Sequence, residues 1–141
     1  EGLLRQWLSA SSYRPEEIAV ALHKLQTEAN NPSRSLYENN KAVYSLLRYG
    51  VHVKTEASQP TETVHLINWK DPEANDFVVV EEVTLKGGHE RRPDLVLYVN
   101  GIALGVLELK RGTVSVGEGI RQLLSNQRPE FNAWFFSTVQ M

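Results

Sequence analysis

The stretch RRPDLVLYVNGIALGVLELK, Arg91 to Lys110, decides how this chain is read. Two apolar runs, Leu95 to Val99 and Ile102 to Leu107, flank Asn100-Gly101. Asn-Gly between such runs is a strong hairpin signal, because both residues tolerate positive φ. The runs are apolar almost throughout, which reads as strands covered on both faces. Charges gather at the far end of this ribbon: Asp94 opens the first strand, and Glu108 and Lys110 close the second. Buried there, they are costly unless paired or bound to a metal. Glu108 and Lys110, two apart, share a face, and Leu109 between them points into the opposite layer.

Register decides whether Asp94 joins them. A plain two-residue loop at Asn100-Gly101 sets Asp94 opposite Leu107, on the wrong face. A three-residue loop, Val99 to Gly101 with a bulge at Gly101, sets it opposite Val106 and one diagonal step from Glu108. The expectation is that bulge, or an equivalent kink at Pro93. The carboxylates of Asp94 and Glu108, with the main-chain carbonyl of Leu109, then suit Mg²⁺, a hard cation that takes oxygen ligands. Lys110 on the same face would orient or help deprotonate an attacking water, or steady charge on a phosphate. On spacing alone, a plain ion pair of Lys110 with Glu108 or Asp94 remains an equal alternative.

Pro93-Asp94 followed by Glu108-Leu109-Lys110 resembles the PD-(D/E)xK nuclease signature. The surrounding phrase resembles the nuclease domain of the R (restriction and motor) subunit of type I restriction-modification enzymes, in which the turn reads Asn-Gly and the second strand ends Glu-Leu-Lys. Asp71 to Phe77, followed by Val78-Val79-Val80, and the block Asn40 to Val51 are similar to the same family, so the resemblance runs from about Pro15 to the end. It implies an α/β restriction-endonuclease-like core and Mg²⁺-dependent cleavage of double-stranded DNA. Asp94 and Glu108 would be metal ligands, Lys110 the catalytic lysine, and Gln122 the glutamine of a Gln-x-x-x-Tyr helix motif. Asn126 stands where that motif has tyrosine. The resemblance also implies methylation and specificity subunits as partners through the parent chain. ATP would be used in a motor outside these residues, since no GxxxxGK[ST] loop is present. An acidic residue that many members carry on an early helix is assigned to none here; Glu28 and Glu38 read as surface carboxylates. Two other readings stay open, a different PD-(D/E)xK nuclease of repair or mobile elements and a catalytically idle fold that docks DNA or subunits.

Composition fits one domain, residues 1–141, helical over 1–50 and sheet-based with the motif over 51–141. The chain opens without methionine and reads as a fragment of something longer. It has no cysteine, which excludes a disulfide framework and fits a reducing cytoplasm. No apolar run reaches membrane-spanning length. The net charge of −2 argues against a stand-alone DNA binder. Near the motif, however, Arg91, Arg92, Arg111, Arg121 and Arg128 could meet phosphates, with Arg92, Arg111 and Arg121 the candidates for nucleic-acid contact.

Outside the motif, helices are expected at Leu3 to Leu8, from Pro15 with Ile18, Leu22 and Leu25 inward, and after a Ser33 or Ser35 cap with Leu36, Val43 and Leu47 inward. Gly50 ends the third. Strands are expected at Val51 to Lys54, Val64 to Trp69 and Phe77 to Leu85, with a turn at Gly87-Gly88. Val114 and Val116 alternate briefly, a helix carries Ile120 to Ser125, and Ala133 to Val139 forms a closing strand beside the Glu108 strand. The whole reads as one mixed sheet flanked by helices. The four histidines show no zinc spacing, and Gly117-Glu118-Gly119 is only a fragment of a dinucleotide fingerprint.

Overall fold

The computed structural model describes residues 1–55, 60–86, 90–110, 112, 115–128 and 133–141. Three helices come first: α1 (Gly2–Ala10), α2 (Pro15–Ala29) and α3 (Leu36–Tyr49). Pro15 takes the first turn of α2, where its missing N–H costs nothing, and Glu17 caps that turn by accepting from Arg14 N at 2.9 Å. At α3 it is Ser35 that caps: its Oγ accepts from Glu38 N, and the Glu38 carboxylate returns to Ser35 N at 2.8 Å. Gly50 ends α3 at φ +84, with the chain packed so close to Thr63 that a Cβ would lie 2.6 Å from its methyl. Each helix turns an apolar stripe inward, Leu4 and Leu8, then Ile18, Leu22 and Leu25, then Val43 and Leu47.

These stripes close over a two-stranded antiparallel sheet, β1 (Val51–Val53) and β2 (Glu62–Val64). The second strand stops at Val64, short of the expected Trp69. Leu66 and Ile67 are buried all the same, but in irregular chain that bends toward a 3₁₀ turn at Pro72–Ala74.

A second antiparallel sheet follows, β3 (Phe77–Glu81), β4 (Leu95–Val99) and β5 (Ile102–Leu107), in the order β3-β4-β5. The molecule therefore has two small antiparallel sheets and flanking helices in place of one mixed sheet. β3 ends four residues before the expected Leu85 because Glu82 adopts φ +53, which breaks the pleat. Pairing resumes beyond that kink, where Leu85 and Arg91 bridge. The expected turn at Gly87-Gly88 lies outside the described residues.

One face of β4 and β5 is covered throughout: Val96, Ala103 and Val106 pack with Leu85, Phe135 and Phe136 into a second core. The other is covered near the turn, where Ile102 is buried in the first core with Val99 and Leu104 packed against it. Elsewhere on that other face Phe77, Val79 and Leu107 stay exposed, so the expected cover on both sides holds only near the turn. Helix α4 (Val116–Asn126) includes Val116, expected in a strand; Val114 lies outside the described residues. The segment expected as a closing strand instead forms a short helix, α5 (Ala133–Phe136). Strand-like contact with β5 comes only after it. Met141 N donates to Leu104 O at 3.2 Å, and Val106 N to Met141 O at 2.9 Å, the pattern of a parallel bridge. Asn40 of α3 holds this segment, donating to Val139 O at 2.7 Å.

Candidate functional site

The register of β4 on β5 builds the site. Val99 faces Ile102, and the two connecting residues both have positive φ, Asn100 at +52 and Gly101 at +79. A uniform ladder from that turn would put Asp94 on the face of Leu107. The register shifts between Leu97 and Tyr98, however, because Leu104 is an extra residue in β5. Leu95 then faces Leu107, and the same register carried one residue outward sets Asp94 opposite Glu108. The bulge is real but lies at Leu104, neither in the turn nor at Pro93, and it makes Asp94 the direct neighbour of Glu108.

Asp94 is fixed from both sides. Its main-chain oxygen accepts from Glu82 N at 2.9 Å, and its Oδ2 accepts from Leu109 N at 2.6 Å. The Leu109 contribution seen here is thus its N–H, and its side chain is exposed, not turned into the opposite layer. Glu108 sits deeper: its side chain is 2 % exposed, and Oε1 is buried without a hydrogen-bond partner. Burial first, and the Asp94 charge second, push the Glu108 carboxyl above its ordinary range, with Lys110 pulling the other way.

Lys110 and Gln122 complete the cluster. Lys110 Nζ lies 3.7 Å from Glu108 Oε2 and donates to Gln122 Oε1 at 2.6 Å. Gln122 Nε2 donates to Glu108 Oε2 at 3.0 Å, so the amide bridges acid and amine. Helix α4 presents Gln122, and its start is set by Ser115 Oγ, which accepts from Gly117 N at 3.2 Å. Gly119, which sequence reasoning set aside, is buried against the Lys110 stem, with its absent Cβ 3.5 Å from Lys110 Cγ.

Among the arginines, Arg92 is exposed and pairs with Glu82 at 3.4 Å, while Arg121 is exposed on α4. Arg111 lies outside the described residues. Asn126, at the departure from the motif, is buried. Glu28 pairs with Arg34 and Lys24, and Glu38 is spent on the α3 cap, so both carboxylates are used locally. Among the described residues no three of His, Cys, Asp or Glu cluster as metal ligands, and no helix is long and apolar enough to cross a membrane.

Residues 3–141 match the family described as type I restriction enzyme R protein N terminus. This chain belongs to that family. Among its relatives, the putative type I restriction enzyme MjaIXP endonuclease subunit of Methanocaldococcus jannaschii is 32% identical over 101 residues, covering 67% of this chain and 10% of the relative. The type I restriction enzyme HindI endonuclease subunit of Haemophilus influenzae is 37% identical over 100 residues, covering 68% and 9%. The chain thus spans about a tenth of the length of these relatives. No solved structure matches it. The match sets this chain at the N terminus of a type I restriction enzyme R protein, a setting consistent with an endonuclease role.

Proposed function

We propose that this chain is the metal-dependent nuclease domain of a type I restriction R subunit, cutting double-stranded DNA through a PD-(D/E)xK site on an Asn-Gly hairpin. The observation that carries the proposal is the bulge at Leu104, which turns Asp94 to the face of Glu108 beside Lys110. Nothing in core packing requires two carboxylates and an amine to meet there, and the buried, unpartnered Oε1 of Glu108 is a standing cost.

That donor set fits Mg²⁺. Hard oxygens are offered by two neighbouring carboxylates whose mutual repulsion a divalent cation relieves, and the orphaned Oε1 gains a partner. A bound Mg²⁺ would supply Lewis acidity toward a phosphate oxygen. The chain's own groups divide the remaining work. Asp94 is held by the Leu109 N–H in one orientation, and Glu108 by Gln122. Lys110 carries the positive charge that steadies a phosphate as negative charge builds on it, and Gln122 aims its ammonium. Arg92, Arg111 and Arg121 add sequence-independent attraction to the DNA backbone.

In the complete enzyme, working in the cytoplasm, methylation and specificity subunits would join through the longer chain, and ATP would drive the motor part of that chain. Asp94→Ala, Glu108→Ala and Lys110→Ala, each placed in the assembled enzyme, are expected to abolish DNA cleavage and leave ATP hydrolysis intact. Cleavage preserved in all three would overturn the proposal and favour a fold that only docks.

A further inference from the structure

A cleft of about 440 Å³ opens between α1, the end of α3 and the irregular chain after β2, at the turn end of the β4–β5 ribbon. Three aromatic residues line it, Trp7, Tyr13 and Trp69, together with Arg48, Lys70 and His65. Among the described residues no carboxylate lines it. Among the described residues neither Arg48 nor Lys70 forms an ion pair with an acid.

The rings are pinned by their polar atoms. Trp69 Nε1 donates to Leu47 O at 2.7 Å, and Trp7 Nε1 to Ala74 O at 3.1 Å. Tyr13 Oη accepts from His65 N at 3.0 Å. Each bond fixes a ring's orientation while leaving ring surface to the cleft, and Trp69 remains 50% exposed. Arg48 lies 5.4 Å from the Trp69 ring centroid. A fixed aromatic surface with cations alongside matches what a nucleotide offers, a flat base joined to a phosphate.

We propose that this cleft binds an unstacked nucleotide, the base against Trp69 and the phosphate at Arg48 and Lys70. The site is separate from the Asp94–Glu108 cluster. From Asn100 to Asp94 the extended chain runs roughly 20 Å, at ~3.3 Å per residue. The inference therefore goes beyond the nuclease reading and does not depend on it. Its chemistry is met by a free nucleotide or by a nucleotide within a single strand.

The chain's three tryptophans, Trp7, Trp69 and Trp134, give three indole N–H signals in a ¹⁵N correlation spectrum. Titration with a short oligothymidylate should shift the Trp69 and Trp7 signals saturably and leave that of Trp134 unmoved. Affinity should fall at least about tenfold in the double variant Arg48→Gln, Lys70→Gln, whose spectrum elsewhere shows whether it is folded. A matching response to thymidine monophosphate would assign the cleft to a single nucleotide, and a response to the oligomer alone would assign it to a strand. No shift with either probe, or an undiminished shift in the double variant, would overturn the proposal.

Discussion

The two ends of the β4–β5 ribbon treat buried polar groups in opposite ways. At the turn end, Asn100 is 1% exposed and fully used. Its Oδ1 accepts from Asp76 N, its Nδ2 donates to Leu66 O and to Asn75 Oδ1, and its own N–H reaches Asp76 O. Gly101 beside it is jammed against α1, with an added Cβ only 2.7 Å from that of Leu3. At the open end the Glu108 side chain is also hidden, yet one of its oxygens has no partner, and exposed Leu107 and Leu109 flank it. A satisfied buried polar group makes structure. An unsatisfied one held beside a second carboxylate and an amine marks a place where something else completes the bonding.

The difference can be broken at either end. Asn100→Ala removes two buried bonds, to Leu66 O and Asn75 Oδ1, and a half-buried one from Asp76 N, and puts a Cβ-bearing residue without a helpful side chain at φ +52. It should cost on the order of 3 kcal/mol in urea denaturation. A loss below about 1 kcal/mol would mean that the turn end is not the anchor described here.

Ser35→Ala provides a scale for a polar contact that is satisfied but exposed. Losing the α3 cap should cost about 1 kcal/mol. If it matched Asn100→Ala, burial would not be what makes the Asn100 network strong.

At the open end the sign reverses. Glu108 has its pKa raised in the folded chain, so the fold holds that proton more tightly than the unfolded chain does. Stability from this group is therefore greatest at low pH and falls as pH rises from the unfolded value through the raised one, above which the full penalty stands. Glu108→Gln should raise the melting temperature at neutral pH by about 2–4 °C, with the gain vanishing in acid where wild-type Glu108 is protonated. Destabilisation at neutral pH would contradict the view that this carboxylate is kept at a cost. Smallest of all, Asp94→Ala should change urea stability by less than about 1 kcal/mol, because the Leu109 N–H it leaves behind lies in an exposed stretch that water can reach.

Local chemistry made much of this legible in the sequence. Pro15 and Ser35 start helices, Gly50 ends one, and the stripes from Ile18 to Leu25 and at Val43 and Leu47 face inward as their spacing requires. The choice of Asp94, Glu108 and Lys110 came from charges placed where strands are apolar, and Gln122 came from family resemblance; the structure brings all four together. Non-local facts stayed hidden. Leu104 as the bulge leaves no mark, since one aliphatic residue among others carries no sign of being unpaired. Ala133 to Phe136 is too short an apolar run to separate strand from helix by periodicity. Asn100 reads as a turn former alone, because its partners Leu66, Asn75 and Asp76 are distant in sequence. Nor does a run such as Phe77 to Val80 reveal that it stays exposed among the described residues.

The most direct test of the open end is calorimetric titration of Mn²⁺, as a stand-in for Mg²⁺, into the wild-type chain and into Asp94→Ala. Saturable binding is expected in the wild type and is lost in the variant. Binding of equal strength in both, or none in the wild type, would contradict the claim that Asp94 and Glu108 are turned together to hold a cation.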